Sequence, residues 1–312
     1  MLGFVSRLRL GFVIRGSRVR ILQPAPVRPS QRARPVVLKT ARHIVGIGLA
    51  AAAGVGLAQA DDGAPAQTIE IHYRMAVWAI PFGALDYTGT FNRGGYSAAM
   101  HFRTSGFLGS FWKSAIDNSA SGVITANALI PSAYVSQSVS HSGRRQWLRV
   151  EYPRNAAPVM HAEPPYDVSK FPVTDSQKRG AVDPVSGLST LVAGLQTDDL
   201  ARCARPLAIF DGRRRYNIVF APLAEANATP LTPETQRCKI RYEHVAGLKQ
   251  EVVDLSTDPP PIYADLINLA AADAPHGHYT IARKAWGAFW WGQVSATVTE
   301  VKINGRSVPL RD

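Results

Sequence analysis

Apolar and polar residues alternate with a period of two along much of the chain. Ile69, Ile71, Tyr73, Met75 and Val77 share one parity, and Glu70, His72 and Arg74 take the other. Tyr96, Ala98, Met100 and Phe102 repeat this against Ser97, His101 and Arg103. The same pattern recurs at Leu148–Tyr152, Tyr216–Phe220 and Ile240–Tyr242. Successive strand side chains point to opposite faces, so each segment predicts a strand with one buried and one wet face, as in antiparallel sheets. Gly94-Gly95, Ser142-Gly143, Asp211-Gly212 and Asn304-Gly305 supply turns between them. Along 293–303 the phase changes: Val294, Ala296 and Val298 share one parity, Val301 and Ile303 the other. A bulge near Thr299 reconciles the two halves. Gly287 and Gly292 bracket the aromatic cluster Phe289-Trp290-Trp291, where they would let a strand bend.

One segment follows a helical period. Asp183 suits an N-cap and Pro184 the first helical position. Val185, Leu188, Val192 and Leu195 form a stripe with Leu191 beside it. The opposite face is Ser186, Gly187, Ser189, Thr190, Ala193 and Gly194, small and uncharged. A helix without a charged face is expected inside a sheet rather than on a surface. A second helix is expected over Pro259–Ala272, with Asp258 as cap and Ile262, Leu266 and Leu269 as stripe. Residues 162–181 resemble an exposed loop. The expected fold is mainly β: a curved antiparallel sheet or open β-barrel wrapped round one central helix, in a single domain.

Charge changes the picture of the N-terminal fifth only. The 312-residue chain has 35 Lys+Arg against 23 Asp+Glu. Ten of the basic residues and no acid lie within 1–60, so residues 61–312 carry 25 against 23. The basic balance therefore gives no nucleic-acid signal for the body. Lys39 and Arg42 precede an apolar run, Ile44–Ala58, and Ala58-Gln59-Ala60 stands before Asp61-Asp62. Positive flank, short apolar stretch and small-residue site predict a signal peptide over 36–60 and a mature chain of 61–312 in the periplasm of a Gram-negative cell; the alternative is an uncleaved anchor. Residues 1–35, Arg-rich and broken by Pro24, Pro26, Pro29 and Pro35, are expected to be a non-native upstream extension, against a genuine basic arm. No other long apolar run occurs, so no membrane-spanning helix is expected after cleavage.

Cys203 and Cys238 are the two cysteines, and in an exported chain one disulfide is the simplest expectation.

Candidate chemistry is sparse. No nucleophile-elbow, zincin or phosphate-loop motif is present, and no catalytic residue, metal or cofactor is predicted. Asp211-Gly212-Arg213-Arg214-Arg215 reads first as a hairpin turn, with Arg213, Arg214 and Arg215 as an added candidate anion site. His276 and His278 lack further ligands at motif spacing and read as loop histidines. Tyr96, Met100 and Phe102, with Trp286, Phe289, Trp290 and Trp291, are the candidate lining of an apolar ligand groove, against core packing.

Val182-Asp183-Pro184-Val185-Ser186 opening a helix, then Cys203, then Ile209-Phe210-Asp211-Gly212-Arg213-Arg214-Arg215-Tyr216, then Cys238, then Ile303-Asn304-Gly305, resembles the domain of unknown function 3108 family over about 68–310. Tyr73, Trp78, Gly83, Gly122 and Pro131 fit the same pattern. The resemblance implies an exported, mostly β envelope protein without assigned catalytic residues. Its fold is similar to those of lipoprotein carriers, an analogy of fold alone.

The expectation is a non-catalytic binding or scaffold protein of the envelope, for an apolar or lipid ligand or for envelope proteins. The alternative is an envelope hydrolase whose site is assembled across strands. An outer-membrane barrel is disfavoured, because many strands carry charges on the face away from the core.

Overall fold

The alternating segments pair into one antiparallel sheet in the computed structural model, which describes residues 66–195, 203, 206–223, 235–248, 260–289 and 292–310. The expected extension and signal peptide lie outside the described residues. The first meander contains β1 (Gln67–Val77), β2 (Ile80–Phe91), β3 (Tyr96–Thr104), β4 (Ala115–Ile124), β5 (Leu129–Val139), β6 (Arg145–Glu151) and β7 (Val159–Glu163). The short helix α1 (Gly106–Phe111) joins β3 to β4. After the helices α2 (Asp175–Lys178) and α3 (Pro184–Val192), a second meander runs through β8 (Leu207–Phe210), β9 (Arg215–Pro222), β10 (Thr235–Ala246), β11 (Ile262–Ala270), β12 (His278–Phe289) and β13 (Gly292–Ile303), with β14 (Arg306–Ser307) added to β13. The sheet order is β7-β6-β5-β4-β3-β2-β1-β13-β12-β11-β10-β9-β8. Pairing of β1 with β13 joins the two meanders, and β7 and β8 are the two ends of the strand order.

The phase change in β13 is a bulge at Thr299. His72 opposes Glu300 and Tyr73 opposes Val298, so Thr299 has no partner across the ladder. Its Oγ1 instead donates to the His72 carbonyl at 3.1 Å. The extra residue lets Val298 and Val301 both face inward, where they are 8 % and 0 % exposed.

α3 lies inside the sheet. It packs against β3, β4 and β5 of the first meander and β8 and β12 of the second. Val185, Val192 and Ala193 are essentially inaccessible, and burying each valine contributes about 1.5–3 kcal/mol. The small face is what permits this closeness: a Cβ on Gly187 would stand 2.7 Å from Ile209 Cδ1.

The segment expected as a second helix is strand β11, which corrects that expectation. Ile262, Leu266 and Leu269 do match a helical stripe, but β11 is flanked by β10 and β12 and buries the consecutive residues Ala264, Asp265, Leu266 and Ile267. Ala264 and Leu266 pack with Leu191 and Cys238, whereas Ile267 joins the main core. A strand covered on both faces loses its period of two, and the remaining apolar run fits either element. Asp258 lies outside the described residues.

The gap between the sheet edges is filled by side chains and by the chain between β7 and α3. Val182 bridges β8 in parallel, with Val182 N–H donating to Ala208 O at 2.9 Å and Phe210 N–H to Val182 O at 2.8 Å. Leu148 of β6 packs on Gly212 of the β8–β9 turn, where a Cβ would stand 2.7 Å from its Cδ2. Gly212 also has φ +89, so both space and backbone call for glycine. Residues 162–181 are mostly exposed, as expected of a loop, although they include α2 and pack Tyr166 and Val173 on the core.

Candidate functional site

The interior is a polar network within an apolar shell. Asp183 caps α3, its Oδ1 accepting from Val185 N–H at 2.9 Å and Ser186 N–H at 2.8 Å, and its Oδ2 accepts the Ser186 hydroxyl. Tyr96 Oη lies 2.6 Å from Ser186 Oγ, and Tyr87 Oη donates to Ser189 Oγ at 2.8 Å. Asp183 is fully buried, and desolvation pushes its carboxyl up to about 6 despite these donors. Burial also raises the phenols of Tyr87, Tyr96 and Tyr134. The carboxylate is thus engaged by a helix end and a serine, inside packed side chains.

The predicted apolar lining divides between the two faces of the sheet. Tyr96, Met100 and Phe102 point inward: Tyr96 and Phe102 are buried, and Met100 packs on the core. Trp286 points outward, in the cross-strand row with Tyr263 and Ser295. It stacks on Tyr263 at 5.9 Å, with Arg237 at 5.0 Å and Lys284 at 5.6 Å over its ring. Arg237 in turn pairs with Asp265 at 2.7 Å. Phe289 is half-buried at the end of β12. Trp290 and Trp291 lie outside the described residues. The sheet therefore separates Trp286 from the β3 residues, and one groove cannot hold both.

The hairpin arginines diverge. Asp211 Oδ1 accepts Arg213 N–H and Arg214 N–H, forming the expected turn. Arg213 lies over Tyr166 at 5.5 Å, and Arg215 donates to Gln177 O, Tyr216 O and Asn217 Oδ1. Arg214 Nε and His244 Nδ1 are buried and have no hydrogen-bond partner among the described residues. Burial, and next the Arg214 charge, hold the His244 ring below its usual value.

Cys203 and Cys238 are bonded, with Cα atoms 5.5 Å apart. His276 Nε2 lies 3.0 Å from Ala126 O, and His278 Nδ1 lies 3.0 Å from His276 O. Among the described residues no group of three His, Cys, Asp or Glu is arranged around a metal position. A shallow open trough of about 460 Å³ runs over the outer face of β2–β6, lined by Thr88, Thr90, Ser97, Ser119, Ser121 and Arg149 among others.

Sequence reasoning missed a group of exposed apolar side chains, distinct from Ile130, which is 52 % exposed opposite Val123 at the other end of the strands. Trp78, Ile80 and Phe107 are 66 %, 52 % and 73 % exposed. All three belong to one rim of the barrel: Trp78 is in the β1–β2 turn, Ile80 opens β2 and pairs with Val77, and Phe107 is in α1, which packs on β2. Trp78 and Ala79 have φ +47 and +70. A two-residue turn with both residues left-handed is best made by Asn-Gly, and a bulky residue there is strained. A Trp-Ala pair linking two strands without any turn residue was the available sequence signal.

The family model described as "Protein of unknown function (DUF3108)" matches residues 68–241, more than half of the chain. Among curated proteins none matches. One solved structure, described as a beta-barrel-like protein of domain of unknown function DUF1849 from Brucella abortus, is similar at 10% identity and a TM-score of 0.41, covering 76% of this chain and 97% of that one. The matched span runs from β1 into β10 and includes the Asp183 cap, the Asp-Gly-Arg hairpin and both cysteines, and the chain belongs to the DUF3108 family of proteins of unknown function.

Proposed function

We propose that this protein is an exported, non-catalytic binding protein of the cell envelope, and that it meets an apolar or lipid partner at the rim of its open barrel rather than in a lumen. The observation that carries this reading is the contrast between interior and rim. Tyr87, Phe91, Tyr279, Val185 and Val192 occupy the interior at no more than 2 % exposure. Trp78, Ile80 and Phe107 stand out from the rim, and exposed apolar residues gathered at one place mark interaction sites. The buried carboxylate that a hydrolase would need is spent on capping α3. Export is supported by the Lys39–Ala60 pattern and by the disulfide.

Two measurements test this. Cell fractionation with mass spectrometry should find a periplasmic chain beginning at Asp61; a cytoplasmic chain retaining Arg42 overturns the export assignment. Titration with a monomeric amphiphile, oleate, should shift tryptophan fluorescence in the wild type and much less in a Trp78→Ser, Phe107→Ser variant. Turnover of ester, phosphoester or glycoside substrates would overturn the non-catalytic reading.

A further inference from the structure

The register of the sheet places cations in a line below the apolar rim. Arg145, Val139, Ala115, Arg103, Ala84, Arg74, Thr297 and Lys284 oppose one another in turn across β6, β5, β4, β3, β2, β1, β13 and β12. Directly opposed residues share a face, and strands are about 4.8 Å apart, so this is one continuous row round the outer wall. Arg74, Arg103, Arg145 and Lys284 are all exposed. The other members are small, hydroxylic or apolar; the next position, on β11, is Asp265, which opposes Lys284 and is paired with Arg237.

Carboxylates are sparse in the surrounding chain as well. Residues 73–85, 87–116, 118–150 and 274–299 contain no Asp or Glu. The two that interrupt these spans, Asp86 and Asp117, lie one outward-facing row further from the rim. They are held by His72 at 2.8 Å and His101 at 2.7 Å, with Arg103 3.9 Å from Asp86. The rim thus presents Trp78, Ile80 and Phe107 at its tip, and an excess of positive charge immediately behind them. That order, apolar wedge and then cations, matches the order of a bilayer surface, acyl boundary and then anionic headgroups. Tryptophan concentrates at that boundary, and the left-handed turn holds Trp78 there at a conformational cost.

We propose that the Trp78–Ile80–Phe107 rim docks the protein on an anionic lipid bilayer, with Arg74, Arg103, Arg145 and Lys284 contacting the headgroups. This deepens the rim reading above by naming its partner, and it rests on that reading.

The test is co-sedimentation of envelope-purified protein with vesicles of mixed phosphatidylethanolamine and phosphatidylglycerol, against vesicles of phosphatidylcholine alone. Binding is expected on the anionic vesicles, weaker on the neutral ones, and reduced by salt. Each cation near an anionic surface is worth about fivefold in partitioning, so Arg74→Gln, Arg103→Gln, Arg145→Gln should lose about a hundredfold on anionic vesicles and little on neutral ones. Trp78→Ser with Phe107→Ser should lose about tenfold or more on both. Arg93→Gln, an exposed charge in the β2–β3 turn away from this rim, should bind as wild type. All these positions are exposed, and thermal unfolding checks that the variants fold. Equal binding to both vesicles, or binding indifferent to the rim and row variants, overturns the proposal. Oleate binding without vesicle binding overturns it while sparing the rim reading. Self-association that disappears in the rim variant, without vesicle binding, assigns the rim to a second copy of the chain and overturns it too.

Discussion

The phenol of Tyr96 on β3 lies 2.6 Å from the hydroxyl of Ser186 on α3, and neither group reaches water. When Asp183 is ionised, Ser186 gives its one proton to that carboxylate, so Tyr96 must be the donor to Ser186. Tyr87 serves Ser189 in the same way, while the Ser189 hydroxyl returns to Val185 O at 2.8 Å. The sheet thereby fixes the rotation of its central helix by hydrogen bonds as well as by packing. Tyr87→Phe and Tyr96→Phe keep the rings and remove one donor each, and each should lower stability by about 1 kcal/mol in urea unfolding. No change in either variant would mean that packing alone orients α3.

Asp183 gives the fold a pH dependence of definite sign. Its folded value, about 6, lies above the ordinary 3.8 because burial disfavours the charge. Between those values the folded chain binds more protons than the unfolded chain, so this group's contribution to stability falls as pH rises through about 4 to 6. The loss at neutral pH is up to about 3 kcal/mol. Asp183→Asn retains an acceptor for Val185 N–H and Ser186 N–H and carries no charge. Subtracting its stability–pH curve from that of wild type should leave a fall across this window. A flat difference would place the titration elsewhere. Asp183→Ala also removes the cap and should cost about 2 kcal/mol or more at low pH, where the native carboxyl is neutral.

The two cysteines were legible because an even, widely spaced pair with no metal or redox motif is most simply a disulfide. Their bond ties the segment after α3 to β10, closing a loop of 35 residues. Cys203→Ser with Cys238→Ser should cost about 3–4 kcal/mol on the chain-entropy account. Thermal unfolding would record a lower midpoint with an unchanged strand signal. Free thiols titrated in the unreduced, folded wild-type protein would contradict the bond.

What could be read from the sequence followed from periodicity, and what could not followed from its loss. β1, β3 and β6 each have one wet face, so their alternation survives in the residue order. α3 was readable because Asp183 and Pro184 punctuate it and its uncharged small face predicts enclosure. β11 was misread because both its faces are covered. The division of the apolar candidates was hidden for another reason. Met100 and Trp286 are equally apolar as letters, and only the register shows that one faces α3 and the other Lys284. The cationic row was also invisible, since Arg74, Arg103, Arg145 and Lys284 are far apart in sequence and meet only through pairing.

The bulge at Thr299 is the sharpest case of pattern dictating geometry. On its N-terminal side β13 pairs Thr297 with Arg74 and Val298 with Tyr73; beyond it, Glu300 pairs with His72 and Val301 with Ile71. Deleting Thr299 would bring the two halves into one phase: Val298, Val301 and Ile303 would share a parity, and Glu300 and Lys302 would stay on the outer face. The shortened strand could keep Val298 opposite Tyr73, Glu300 opposite His72 and Val301 opposite Ile71, so it would lose only the bend and extra twist that the bulge supplies. Thr299→Ala keeps the bulge, removes only the hydrogen bond to the His72 carbonyl and should cost no more than about 1 kcal/mol. Circular dichroism and thermal unfolding should therefore find a near-native Thr299→Ala protein and a deletion that still folds cooperatively, with a lower midpoint. An unfolded or aggregated deletion would show that the bend at Thr299, and not only the phase of the apolar residues, is needed for β13 to pair with β1.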